Sequence, residues 1–289
     1  MKKIVALLFL VFGTTTSFSQ ENENPENTGV NFSLEGALAM FKKANSLKNF
    51  ERIINDKKNN VNNLDLNDDG EIDYINVDDI KNGDSHILVL STYLSETEKQ
   101  DIATISIEKT GEAQAVLQIE GDNNLYAENT IIEPTEEKET LKELKDGGPN
   151  APVVEIQSLV VNVWFWPCVS YIYAPQYVIW KSPYRWSFRP NWWRPWHPYA
   201  YKIFYVRCAP HRLWYRPGAS RRVVAARNSY TAVRHTSTLV VRNRKNTTIV
   251  HEKIRGASVK TVPVKRIKIK SPAVKRGSIK GIQRGGGRR

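Results

Sequence analysis

The sequence predicts an α+β fold in which N-terminal helices pack on an antiparallel four-stranded meander. An irregular aromatic, Pro-rich segment with short strands and a largely disordered basic tail are expected to follow. Three observations carry this expectation. Apolar spacing changes from a helical to a two-residue period near Leu64, and all eight tryptophans fall within residues 164–215. Charge also reverses along the chain. Up to residue 150 there are 28 Asp and Glu against 14 Lys and Arg, whereas from 151 onward there are 2 against 28, so −14 and +26 lie beneath the overall +12.

At the start, Lys2 and Lys3 precede an apolar run from Ile4 to Gly13, and Ser17 and Ser19 offer small residues before a cut. That pattern is a secretory signal peptide over residues 1–19. Its apolar run is shorter than the roughly 20 residues that cross a bilayer. The mature chain is thus expected to be exported to the periplasm or cell surface, without a transmembrane segment and with a flexible stretch over 20–30. Loss of Lys2 and Lys3 takes the first part to −16.

An acidic α+β domain is expected over 31–146. Leu34, Leu38 and Phe41, then Leu47, Phe50 and Ile54, recur at helical spacing, and Ser33 has the chemistry of an N-cap. The runs EIDYINVDDI, HILVLSTYL, DIATISIEK and EAQAVLQIE read as strands; in the last two, Ala103, Ile105, Ile107 and Ala115, Leu117, Ile119 alternate with polar residues. Asn82-Gly83 and Thr110-Gly111 mark hairpin turns. TEEKETLKELK reads as a charged helix, and Gly147, Gly148, Pro149 and Pro152 make 147–152 a linker.

Residues 153–217 carry the rings, broken by Pro167, Pro175, Pro183, Pro190, Pro195, Pro198 and Pro210, which excludes a long helix. VVEIQSLVVNVWFW and YKIFYVR are expected as strands, and SPYRWSFRPNWWRPWHPY as extended chain. Residues 218–289 read as a mostly disordered basic tail in which only Glu252 opposes the Lys and Arg side chains.

The clearest metal-like pattern is LDLNDDGEIDYINV. Asp65, Asn67, Asp69, the Glu71 carbonyl and Asp73 fit the early ligand positions of an EF-hand, around a turn at Gly70. Position twelve is Asn76, which lacks the bidentate carboxylate, so the stretch more closely resembles dockerin, FG-GAP and thrombospondin-type calcium loops. That resemblance implies a structural Ca²⁺ closed by Asp73; the competing reading is an Asp-Gly turn entering a strand.

The ring segment has two readings as well. Trp186, Arg189, Trp192, Trp193, Arg194 and Trp196 form either a weak ligand-binding surface for sugars or anions, or a core in which rings and arginines stack on one another. Cys168 and Cys208 are expected to form a disulfide in an oxidising compartment, with two buried free thiols as the alternative.

The cationic tail is expected to bind polyanions, namely acidic polysaccharide, lipopolysaccharide phosphate or extracellular DNA, or the acidic domain of its own or another copy. No specific nucleic-acid module is present. No zinc-protease, nucleophile-elbow, phosphate-loop or dinucleotide pattern occurs, and His86, His197, His211, His235 and His251 lack ligand spacing. The reading is therefore a non-enzymatic envelope or matrix protein. Its alternatives are a carbohydrate-recognition protein using the Trp/Tyr surface and an enzyme whose acid/base pair has no motif.

DLNDDGEIDYINV, HILVLSTYLSETEKQDIATISIEKTG, GDNNLYAENTIIEP and NVWFWPCVSYIYAPQYVIWKSPYRW together resemble an uncharacterised family of exported Bacteroidota proteins with an acidic head, a Trp/Pro-rich middle and a basic tail. The resemblance implies compartment and layout, and no activity.

Overall fold

The structure, a computed structural model, describes residues 28–135, 160–218 and 220–245. The signal peptide, the helix expected over 135–145 beyond Thr135, the 147–152 linker and the tail from 246 onward lie outside the described residues.

Ser33 caps the first helix, α1 (Leu34–Lys43), by accepting the Gly36 N–H at 2.9 Å. Ser46 caps the second, α2 (Leu47–Ile54), through Asn49 N–H. Both helices turn the expected apolar residues inward, and Leu38, Phe41, Leu47, Phe50 and Ile54 are fully buried. The expected flexible stretch ends early, because Thr28–Asn31 forms a 3-10 turn tied to Leu125 by the Gly29 N–H.

Six strands, not four, build one antiparallel sheet in the order β1-β2-β3-β4-β5-β6. These are β1 (Asn76–Asn82), β2 (Ser85–Tyr93), β3 (Lys99–Gly111), β4 (Gln114–Gly121), β5 (Ile131–Pro134) and β6 (Tyr215–Pro217). The first hairpin pairs Asn82 with Ser85, and Gly83 takes φ +55° in the turn. The third turn falls at Glu112-Ala113, two residues past the expected place, since Gly111 still pairs with Gln114. Strands β5 and β6 escaped the sequence reading because four and three residues are too few to show a period. Their pairing, Glu133 with Arg216, joins parts of the chain that the sequence had assigned to separate segments.

One face of the sheet carries Ala103, Ile105, Ile107, Leu117 and Ile119 against α1, α2 and a short helix α3 (Pro167–Ile172). Val163, Trp166, Cys168, Val169 and Ile172 complete that core, so the aromatic segment packs into the head. Residues 160–163 are irregular, not strand, and Pro167 at the first helical position starts α3. YKIFYVR is likewise helical, α4 (Tyr201–Arg207), because Phe204 and Cys208 lie four residues apart and both turn inward.

The opposite face carries the polar residues of the alternation, yet Thr104, Ser106 and Gln118 on it are buried. Helix α5 (Val224–Thr231) covers it, with Val223 and Tyr230 against Ile87, Val89 and Val116. Residues 238–245 form another helical stretch that buries Leu239 and Val240. Residues 220–245 are thus folded, where the sequence reading had placed disordered tail. Among the described residues, no helix is long and apolar enough to cross a membrane.

Candidate functional site

The loop from Leu64 to Asp73 makes its turn as the spacing requires. Gly70 sits at φ +87° and Asp68 at +57°. The Asp65 carboxylate accepts the N–H groups of Asp69 and Gly70 at 3.0 and 2.9 Å. Asp69 accepts from Glu71 N–H and from the Asn67 amide, and Asp73 accepts Leu66 N–H at 2.7 Å. Asn76 plays no closing part, since its amide donates to Ser182 and Tyr184. Burial, then repulsion from Asp69, raises the Asp65 carboxyl to about 6, even though backbone N–H groups hold its charged form. Asp73, fully enclosed, is raised well above the usual range by burial and then by Asp65 and Asp69. Among the described residues no three His, Cys, Asp or Glu side chains gather closely enough to hold a metal ion.

The ring segment braces this loop from outside. Ile72 N–H donates to the Trp196 carbonyl, His197 Nδ1 lies 2.7 Å from the Gly70 carbonyl, and Asn63 and Tyr199 exchange two hydrogen bonds. Of the six candidate ligand residues, Trp186, Arg189 and Trp193 are buried. The Arg189 guanidinium stacks over Tyr74 and Trp186, and Trp193 meets Tyr74 edge-on at 5.2 Å. Trp196 is half-buried against Trp193. Only Trp192 and Arg194 are exposed, and Arg194 is already bonded to the carbonyls of Asn191 and Trp193. The structure therefore disperses the supposed ligand surface into packing.

The expected disulfide is not formed: Cys168 and Cys208 are buried free thiols. They occupy different surroundings, Cys168 in the main core and Cys208 at the end of α4, where its sulfur lies 3.0 Å from the Arg212 guanidinium. Burial pushes both thiols above their usual range.

Two buried acids fasten the halves together. Glu51 on α2 accepts from Tyr74 and Ser182 on one oxygen, at 3.0 and 2.8 Å, and from Val77 N–H and Trp180 Nε1 on the other. Burial outweighs these four donors and raises its carboxyl to about 7. Asp79 receives Tyr177 O–H at 2.7 Å and pairs with His86 at 2.8 Å. Both Asp79 and His86 are closed to solvent, and His86 meets the Tyr173 ring edge-on at 4.9 Å.

Attraction between the basic tail and its own acidic domain was among the expectations, but its form, a folded strap, was not. Arg221 grips Glu120 through two nitrogens, at 2.6 and 3.1 Å, and Arg227 adds a third contact to the same carboxylate. Arg234 is bidentate on Asp122, while Arg216 and Arg222 share Glu133. Tyr230 donates to the buried Asp101, which also pairs with His235 at 3.3 Å. A cleft of about 90 Å³ remains between strap and sheet, lined by Thr104, Glu120, Asp122, Arg227, Tyr230 and Arg234. Its charges already answer one another. The available signal was the charge reversal itself, which indicated the acidic domain as partner without indicating which residues pair.

No family model, curated protein or solved structure matches this chain.

Proposed function

We propose that this is an exported, non-enzymatic envelope or matrix protein that binds polyanions, or other copies of itself, through its cationic C-terminal region. The observation that supports the reading is the strap. Five arginines between Arg216 and Arg234 engage carboxylates presented on a sheet, and beyond Lys245 only Glu252 opposes the further Lys and Arg residues. The strap consumes its own cations on its own head, which leaves the residues past 245 as the cationic reserve for acidic polysaccharide, phosphate-bearing lipopolysaccharide or DNA. Retention on an immobilised polyanion tests this. The full chain is expected to bind at low salt and elute by about 0.5 M NaCl, where charge attraction is screened, and a chain ending at residue 245 is expected to lose most retention. Equal retention of both refutes the assignment. A carbohydrate site is the weaker reading, because Trp186 and Trp193 are buried.

Calcium belongs to the same proposal as a structural ion that draws Asp65, Asn67, Asp69, the Glu71 carbonyl and Asp73 together from the wider, N–H-bonded spacing they have in this structure. The support is the turn at Gly70 that sets Asp65, Asp69 and Asp73 in one loop, where burial, then repulsion from Asp65 and Asp69, raises Asp73, a cost that a cation would relieve. Millimolar Ca²⁺ is expected to raise the melting temperature, and Asp69→Ala or Asp73→Ala to abolish that rise. A melt indifferent to Ca²⁺ refutes it.

A further inference from the structure

A surface on the other side of the ring segment has the wrong polarity for a helix that simply faces water. Helix α4 turns Phe204 inward and shows Ile203 and Val206, one turn apart, to solvent at 51% and 70% exposure. The 3-10 turn that follows, Ala209–Trp214, adds Leu213 at 62% and part of Trp214. Exposed β-branched and aromatic groups grouped in this way mark a docking surface more often than an idle one.

The charges that α4 and the turn themselves contribute are of one sign, and Glu35 on α1 is the acid near the Cys208 end. Lys202 and Arg207 flank the apolar pair on α4, and Arg212 lies over the Tyr205 ring at 3.7 Å. No Asp or Glu occurs from Ile156 to His251, so the whole stretch that shapes this surface contributes only apolar, neutral and cationic groups.

We infer that this face, built by α4 and the 209–214 turn, seats the protein on an anionic lipid surface. Apolar side chains enter the boundary between headgroups and acyl chains, and the exposed Lys202 and Arg207 meet lipid phosphates at its rim. The inference rests on the polyanion reading above, since it names the kind of anionic surface the protein meets. A second copy of this chain is the poorer occupant. Face-to-face pairing of two such patches brings like charges together, whereas lipid phosphate neutralises them.

Vesicle flotation of the full chain tests it, using vesicles of phosphatidylglycerol with phosphatidylethanolamine, and of phosphatidylcholine alone. Binding is expected to the anionic vesicles, with a fraction that survives about 0.5 M NaCl because burial of apolar surface is not screened. At about 0.5 M NaCl, where tail binding is screened, the double variant Val206→Asp, Leu213→Asp is expected to bind these vesicles at least tenfold more weakly, while its low-salt retention on a soluble polyanion column stays unchanged. Both substitutions are at exposed positions, and an unchanged circular dichroism melt verifies the fold. A chain ending at residue 245 separates the two readings: it loses the column and keeps salt-resistant flotation. Unaltered flotation of the double variant overturns the lipid assignment and leaves the tail reading standing. So does a concentration-dependent dimer, abolished by the variant, with no vesicle binding.

Discussion

Replacing Glu51 by Gln should flatten part of the pH dependence of stability. The Glu51 carboxyl titrates near 4.5 in the unfolded chain and at about 7 when folded. A raised acid holds its proton more tightly in the folded state, so its contribution is fully present below about pH 4.5 and is lost as pH rises toward about 7. That rise corresponds to about 3 kcal/mol over the full range, of which about 2.5 kcal/mol falls between pH ~5 and pH ~8. Gln retains the shape and the hydrogen-bonding reach of the protonated acid. Its NH₂ replaces the oxygen that faces Tyr74 and Ser182, whose hydroxyls can accept as well as donate, and its carbonyl keeps Val77 N–H and Trp180. Urea unfolding of both proteins at the two pH values measures the effect. Asp65 and Asp73, also raised, tilt both curves alike and cancel in the comparison. The parent should lose about 2 to 3 kcal/mol more than the variant on going to the higher pH. Parallel losses would refute the claim that burial at Glu51 governs this slope.

Phe50→Ala should cost about 3–5 kcal/mol in urea unfolding, because it removes a fully buried ring that meets Phe41 edge-on at 5.3 Å. Gly121→Ala should cost about 1–3 kcal/mol, since a Cβ there would lie 2.5 Å from the Tyr126 ring, whose hydroxyl is pinned to the Phe32 carbonyl. Arg234→Ala leaves Asp122 enclosed without its bidentate partner, and its cost, about 1–2 kcal/mol after allowance for the half-exposed arginine, should appear as roughly tenfold faster trypsin cleavage within 221–234. Cys168 and Cys208 should ignore a thiol reagent in the native protein and react in full in urea without reductant. An absence of reactive thiol in urea would mean a disulfide after all.

Where local physics decides, the sequence was readable. Ser33, Leu34, Leu38 and Phe41 announce a capped helix with one apolar face, and the alternation through Ala103, Ile105 and Ile107 announces a strand with one buried side. Tertiary decisions were hidden. YKIFYVR suits a strand by composition and becomes a helix because two inward positions four residues apart meet the core. Glu51 is unremarkable on α2 until Ser182, 131 residues later, closes over it. The loop at Asp65 to Asp73 was legible as a turn, but its bracing by Trp196 and His197 was not. For the cysteines, number and compartment suggested a bond, whereas placement in separate surroundings decides against it.

The span of the closing contacts bears on how the chain reaches this shape. The first four strands join through short hairpins, yet Arg216 meets Glu133 across 83 residues, Arg221 meets Glu120 across 101 and Arg234 meets Asp122 across 112. A chain emerging from its N-terminus can build the meander early and cover its apolar face with α1 and α2, but must wait for its last quarter before the opposite face is sealed. Until then the partly built sheet keeps Glu120, Asp122 and Glu133 without their arginine partners. The order of the sequence alone thereby makes closure of that face the last event of folding.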